Sequence, residues 1–131
     1  MQAKTRGIIL HQTRYGDNAS IVGIYTREFG RVAYYVRSVS KKRSTIRAAL
    51  LQPLSVVELD VYHNPKKEIQ ALKEMRIAEA FFHIPFDPVK NTIALFIAEV
   101  LFKILKHPTP DAPLYHFIEQ AVVALDRCGG G

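Results

Sequence analysis

At 131 residues, 48% of them hydrophobic, the chain has room for one compact domain or for a small domain plus part of a second, and its formal charge is +6. One cysteine, Cys128, excludes an internal disulfide and any multi-thiolate metal site built by this chain alone. The most apolar stretch, Thr92–Leu105, is interrupted by Glu99 and Lys103, and the opening MQAKTRGIIL lacks the apolar core of a signal peptide, so neither a membrane span nor secretion is indicated and a cytoplasmic protein is expected.

Residues 5–13 (TRGIILHQT) are rich in strand formers, and Gly7 suits a bulge or a sharply coiled strand. RYGDNAS (14–20) carries turn chemistry in its Gly-Asp-Asn cluster. A second strand is expected at 21–27 and a third at 31–37, with the intervening EFG reading as a hairpin turn closed by Gly30. After a basic connection at 38–50, LSVVELDVYH (54–63) alternates Val57, Leu59 and Val61 against Glu58, Asp60 and Tyr62, which predicts a fourth strand. NPKK (64–67) is a turn, and 68–81 fits either a strand or a helix. If it opens as a strand, five short β-elements fall within eighty residues, the size and count of an OB-type barrel. FHIPFDP (82–88) reads as a junction. Apolar residues at Ile93, Phe96, Ile97, Val100, Leu101, Ile104 and Leu105 predict a helix over 89–106. HPTPDAP (107–113) breaks it, and a second helix is expected over 114–125. The expected fold is therefore α+β, a five-stranded OB-fold barrel at 1–78 followed by an α-helical region at 79–131. The glycines ending the chain resemble a place where a longer protein continues.

Charge separates the two halves. Residues 1–76 hold fourteen Lys/Arg against six Asp/Glu, a balance of +8, whereas 77–131 hold four against six, a balance of −2. Between Glu28 and Glu58 there is no acid at all, but six cations: Arg31, Arg37, Lys41, Lys42, Arg43 and Arg47. Cations on a hydroxyl-rich connection beside a barrel suit a polyanion, because each one that meets a phosphate releases condensed counterions. Arg14, Arg27, Arg31, Arg37, Lys41, Lys42, Arg43 and Arg47 are the candidate phosphate contacts. Tyr34, with Tyr25 and Tyr35, is a candidate for stacking on unpaired bases. Tyr34 and Tyr35 must point to opposite faces of the strand, so at most one of them faces a ligand. The five histidines are scattered, no carboxylate cluster has ligand or nuclease spacing, and no nucleotide-hydrolysis or serine-nucleophile motif is present. No metal, cofactor or catalytic set is expected. Two other partners fit the same charge: acidic protein tails, docked by an interaction module, and RNA, since phosphate contacts and stacking do not read the sugar.

The run TRGIILHQTRYGDNASIVGIYTREFGRVAYYVRSVSKKRST, followed by LLQPLSVVELDVYH, resembles the N-terminal domain of the bacterial RecO family of recombination mediators. The apolar "IIL", the Gly16-Asp17 turn, "YTREFGRV", the basic segment Lys41 to Ser44 and "LQPL" (Leu51 to Leu54) carry the likeness in order and spacing over about seventy residues. The resemblance implies an OB-fold domain that binds single- and double-stranded DNA, followed by a helical domain. It also implies strand annealing without an enzymatic activity, in partnership with RecR and single-strand-binding protein, the latter through the helical domain, and help in loading RecA at the nucleoid. Some members carry a four-cysteine zinc site in the helical domain; here Cys128 stands alone.

Overall fold

The structure is a computed structural model and describes residues 2–37 and 51–128. Alternating strand formers between turns give β1 (Gln2–Arg14), β2 (Ala19–Thr26), β3 (Gly30–Arg37), β4 (Val56–Tyr62) and β5 (Ile69–Ile77). They close into a barrel in the order β1-β2-β3-β5-β4, with β4 returning to β1. Every pairing is antiparallel except β3 with β5, a short parallel seam from Ala33 opposite Ile69 to Tyr35 opposite Ala71. This is the expected five-stranded barrel of OB type. The segment at 68–81 resolves as a strand because only a strand there satisfies two open edges at once, pairing with β3 on one side and β4 on the other.

Period-two alternation divides the strands between two cores. Ile9, Val22, Ile24, Val32, Tyr34, Val57, Leu59 and Val61 fill the barrel. Their neighbours Ile8, Leu10, Tyr25 and Val56 point the other way, beneath the helices. The continuous "IIL" therefore reflects a strand buried on both faces. Gly7 allows a close approach inside the barrel, since a Cβ there would lie 2.5 Å from Ile24 Cγ2. The irregularity in pairing sits elsewhere, between Ile9 and His11, where β1 shifts register against β2.

Helix α1 (Pro88–Ile104) is capped by Asp87, whose side chain accepts from the Val89 and Lys90 amides; α2 (Ala112–Arg127) is capped by Asp111, which accepts from Leu114 N. The side of α1 that packs inward is built on Ala94 and Ala98, flanked by half-buried Ile97, Leu101 and Phe102. The small residues let the helix come close to the barrel. Val89, Ile93, Phe96 and Val100 form a second apolar stripe that stays exposed, so the expected apolar face of this helix is split between a packed side and an open one. Among the described residues no helix is long and apolar enough to cross a membrane.

Three contacts fix the helices to the barrel. Asp126 is wholly buried and accepts from the amides of Phe82, His83 and Ile84 at 2.8–2.9 Å. Arg6 on β1 donates to Glu119 on α2 at 3.0 Å, and Tyr115 donates to the same carboxylate at 2.8 Å. Burial works against the Arg6 cation, but Glu119's hydrogen bond and charge outweigh it and leave its pKa above the ordinary value. Burial first, then Glu119, pushes the Tyr115 phenol up.

The third contact is the α1–α2 connector. Arg31 N donates to His107 O at 3.1 Å, and Thr109 lies against Gly30, which has φ +70°. A Cβ on Gly30 would stand 2.5 Å from Thr109 N, which is backbone and cannot swing aside. Gly16 has the same backbone conformation, φ +71°, with nothing within 4 Å of its would-be Cβ. Gly16→Ala should therefore cost only the left-handed strain, about 1 kcal/mol, while Gly30→Ala adds overpacking for a total of about 2–3 kcal/mol. Equal melting temperatures for the two variants would mean that the connector does not pack on β3.

Candidate nucleic-acid interface

Strand register decides which polar and aromatic side chains share a surface. Thr13 lies opposite Ile21, Ile21 opposite Tyr35 and Tyr35 opposite Ala71, so one outward row crosses β1, β2, β3 and β5. At the barrel end of that row Tyr15, just beyond β1, meets Tyr35 edge to face, with ring centroids 6.0 Å apart. Both rings are open to solvent, at 57% and 39% exposure. Arg14 pairs with Ser20, and Ala19, the neighbour of Ser20, pairs with Arg37. Adjacent residues of β2 face opposite ways, so Arg37 shares the outer face of Tyr35, two residues before it, whereas Arg14 stands at the same barrel end on the other row, that of Ser20 and Val36. Both are exposed, and neither forms an ion pair with a described carboxylate. The strand then runs from Arg37 into the basic segment, whose Lys41, Lys42, Arg43 and Arg47 lie outside the described residues.

The structure sorts the remaining candidates differently. Tyr34 is 0% exposed in the barrel interior and presents no face to a base; this corrects its place among the stacking residues. Its hydroxyl has no hydrogen-bond partner among the described residues, and burial raises its pKa well beyond the ordinary phenol value. Tyr25 is also buried, tilted against Tyr115 with centroids 5.9 Å apart. Tyr35 is the outward member of the adjacent pair. Arg31 donates to Phe102 O at 2.9 Å and stacks 4.1 Å from the Phe102 ring centre, and burial lowers its pKa. It is engaged in holding α1. Arg27 donates to Glu28 at 2.8 Å, so its charge is partly neutralised in place.

Helix α1 also narrows the sheet face left for a ligand. Phe102 stacks on His11 with centroids 4.3 Å apart, and Glu99 bonds His11 at 3.0 Å. A Cβ on Gly23 would lie 2.8 Å from the Phe102 ring. The centre of the β1–β2–β3 face is therefore covered by the helix, and the open part is the end that carries Arg14, Tyr15, Tyr35 and Arg37.

On the opposite side of the barrel one arginine is held by three carboxylates. Arg76 pairs with Asp60 and Glu74, both at 3.3 Å, and with Glu58 at 3.8 Å; the Asp60 hydrogen bond is the main reason its pKa is raised. The positive charge counted in the sequence is thus not spread evenly. Among the described residues Arg76 on β5 is matched by carboxylates of β4 and β5, whereas Arg14 and Arg37 at the Tyr15–Tyr35 end are not. Among the described residues no group of three His, Cys, Asp or Glu side chains converges as a metal site would need.

Tyr15 was absent from the expected set. It lies in a turn, outside any strand alternation, and the β1–β2–β3 pairings bring it onto Tyr35. Its one signal in the sequence is its place between Arg14 and the Gly16-Asp17 turn.

Comparison with known proteins agrees with this architecture. Residues 1–81 match the family described as recombination protein O, N terminal. The chain is 37% identical over 128 residues to the DNA repair protein RecO of Phocaeicola vulgatus, covering 98% of this chain and 53% of that one. It is 34% identical to the RecO of Bacteroides fragilis, with the same coverage, and 36% identical to that of Porphyromonas gingivalis, covering 96% and 52%. The chain spans about half the length of these curated relatives. With the family matched over more than half of its residues, on a barrel that ends where the match ends, the chain belongs to the recombination protein O N-terminal family.

Proposed function

We propose that this chain binds DNA through the Arg14–Tyr15–Tyr35–Arg37 end of the barrel together with Lys41, Lys42, Arg43 and Arg47, as the DNA-binding half of a repair and recombination mediator. The observation that carries this reading is the coincidence of unpaired arginines with two exposed, touching tyrosines at one end of an OB-type barrel. Phosphate contacts supply affinity without sequence preference, and the ring faces hold unpaired bases. Strand annealing then needs no bond-making residue. Neutralised phosphates let two strands approach, and contacts indifferent to sequence let them search for register. In the longer relatives' context, single- and double-stranded DNA, RecR, single-strand-binding protein and, through them, RecA are the partners this reading expects, with residues 1–78 as the binding unit and 79–131 as the start of a helical part. The working place is the nucleoid.

The test is fluorescence-anisotropy titration of labelled single-stranded DNA at several salt concentrations. Micromolar or tighter binding is expected, with log affinity falling steeply against log salt. Lys41→Ala/Lys42→Ala/Arg43→Ala should flatten that slope by about 2 units, at about 0.7 per lost contact on single strands. An unchanged slope removes the basic segment from the interface. Binding to an acidic peptide but not to DNA at moderate salt removes nucleic acid altogether.

A further inference from the structure

The barrel carries a second basic surface, away from Arg14. A cleft of about 720 Å³ opens between the β2–β3 turn, the β4–β5 turn and the α1–α2 connector, and Lys66, Lys67, Lys106 and Arg31 line it. The three lysines are exposed and pair with no described carboxylate. Two acids share the cleft, Glu28 and Glu68, but Glu28 is already held by Arg27 at 2.8 Å. In its wall His63 stacks on Phe29 with centroids 4.0 Å apart, and His63 Nδ1 is buried with no hydrogen-bond partner among the described residues. A polar atom buried in that state costs free energy until a ligand or water supplies the bond.

The cleft is continuous with the Tyr35 end. Lys67 borders it and also borders the hollow beside Tyr35 and Arg37. Between the two runs the β3–β5 seam, where Ala33 faces Ile69 and leaves Ile69 43% exposed. From Arg37 back to Gly30, β3 covers roughly 23 Å at about 3.3 Å per residue. The geometry points to a single extended track: a nucleic-acid strand seated on Tyr15 and Tyr35 continues along the β3–β5 seam, over Ile69, and places further backbone phosphates on Lys66, Lys67 and Lys106. This inference rests on the DNA-binding reading above and adds a phosphate subsite formed partly by the α1–α2 connector, so it joins the helical part to the barrel's ligand path.

The experiment compares the whole chain with Lys66→Gln/Lys67→Gln/Lys106→Gln on two oligonucleotides, one of about 4 and one of about 16 nucleotides, the range of site sizes for a barrel of this type. The short strand should bind both proteins alike. The long strand should bind the triple variant about tenfold or more weakly, with the log–log salt slope reduced by about 2 units. If the parent binds both strands and the triple variant loses nothing on the long one, the cleft is not on the track while the Tyr15–Tyr35 site stands. If the triple variant keeps its DNA affinity but loses an acidic peptide that the parent binds, the cleft serves a protein and the proposal falls. If the parent binds neither strand, the underlying reading fails and takes the subsite with it.

Discussion

Asp126→Ala is expected to lower stability by about 2–4 kcal/mol. The carboxylate is wholly buried near the end of α2 and takes three amide donors from the junction that leaves the barrel, Phe82, His83 and Ile84. Removing it orphans all three; the buried Ile84 amide costs about 1–3 kcal/mol, while the amides of the exposed Phe82 and His83 can turn in part to water. For a chain of this size the melting temperature should fall by roughly 10 °C or more. Burial alone would push the Asp126 carboxyl up, but the amides of Ile84, Phe82 and His83, with the charge of His83, bring it below the ordinary value. The unfolded carboxyl therefore takes a proton more readily than the folded one. The hook contributes fully above the ordinary carboxylate pKa and is lost as pH falls below about 4, through the folded value. Asp126→Asn should remove that part of the acid dependence while costing less than the alanine variant. Urea titrations followed by circular dichroism at neutral and acid pH measure both effects, and an alanine variant within about 1 kcal/mol of the parent would mean that the hook does not hold the junction.

Local patterns carried much of this architecture. Turn residues at Gly16-Asp17, Gly30 and Asn64-Pro65, with alternation between them, place the strands of the barrel to within a few residues. What local pattern could not supply was the identity of the second face. Tyr34 and Tyr35 alternate whichever of them is inside, and the choice is made by pairing, which sets Tyr35 opposite Ile21 and Ala71 on the outer row. Arg31 reads as one more free cation until a helix seventy residues later lays Phe102 across it. The packed side of α1 was obscured for a related reason. Counting large apolar residues favours Ile93, Phe96 and Val100, yet the buried side of the helix is built on Ala94 and Ala98, which a count of bulk overlooks. In each case the missing information was a contact between distant segments, which no window of the sequence contains.

Tyr15→Ala/Tyr35→Ala is expected to weaken single-stranded DNA binding by about thirtyfold or more, with the salt slope left almost unchanged. Stacking of a base on an aromatic ring contributes about 1–3 kcal/mol and involves no counterion release, so two lost rings remove at least about 2 kcal/mol of salt-insensitive affinity. Arg14→Ala/Arg37→Ala should do the reverse, flattening the slope by about 1.4 units while sparing most of the affinity that survives at high salt. Tyr34→Phe is the control that separates surface from core. It removes a buried hydroxyl that has no partner among the described residues, so stability should hold or rise slightly and binding should not change. The three variants together test the interface more sharply than any affinity alone. A tyrosine pair that merely shapes the barrel end would lower affinity only by unfolding it, and the melting curve would report that directly. A basic surface acting as a diffuse counterion sink would make the arginines matter and the tyrosines irrelevant. Only a site that holds bases on Tyr15 and Tyr35 and phosphates on Arg14 and Arg37 predicts that the two pairs fail in different ways.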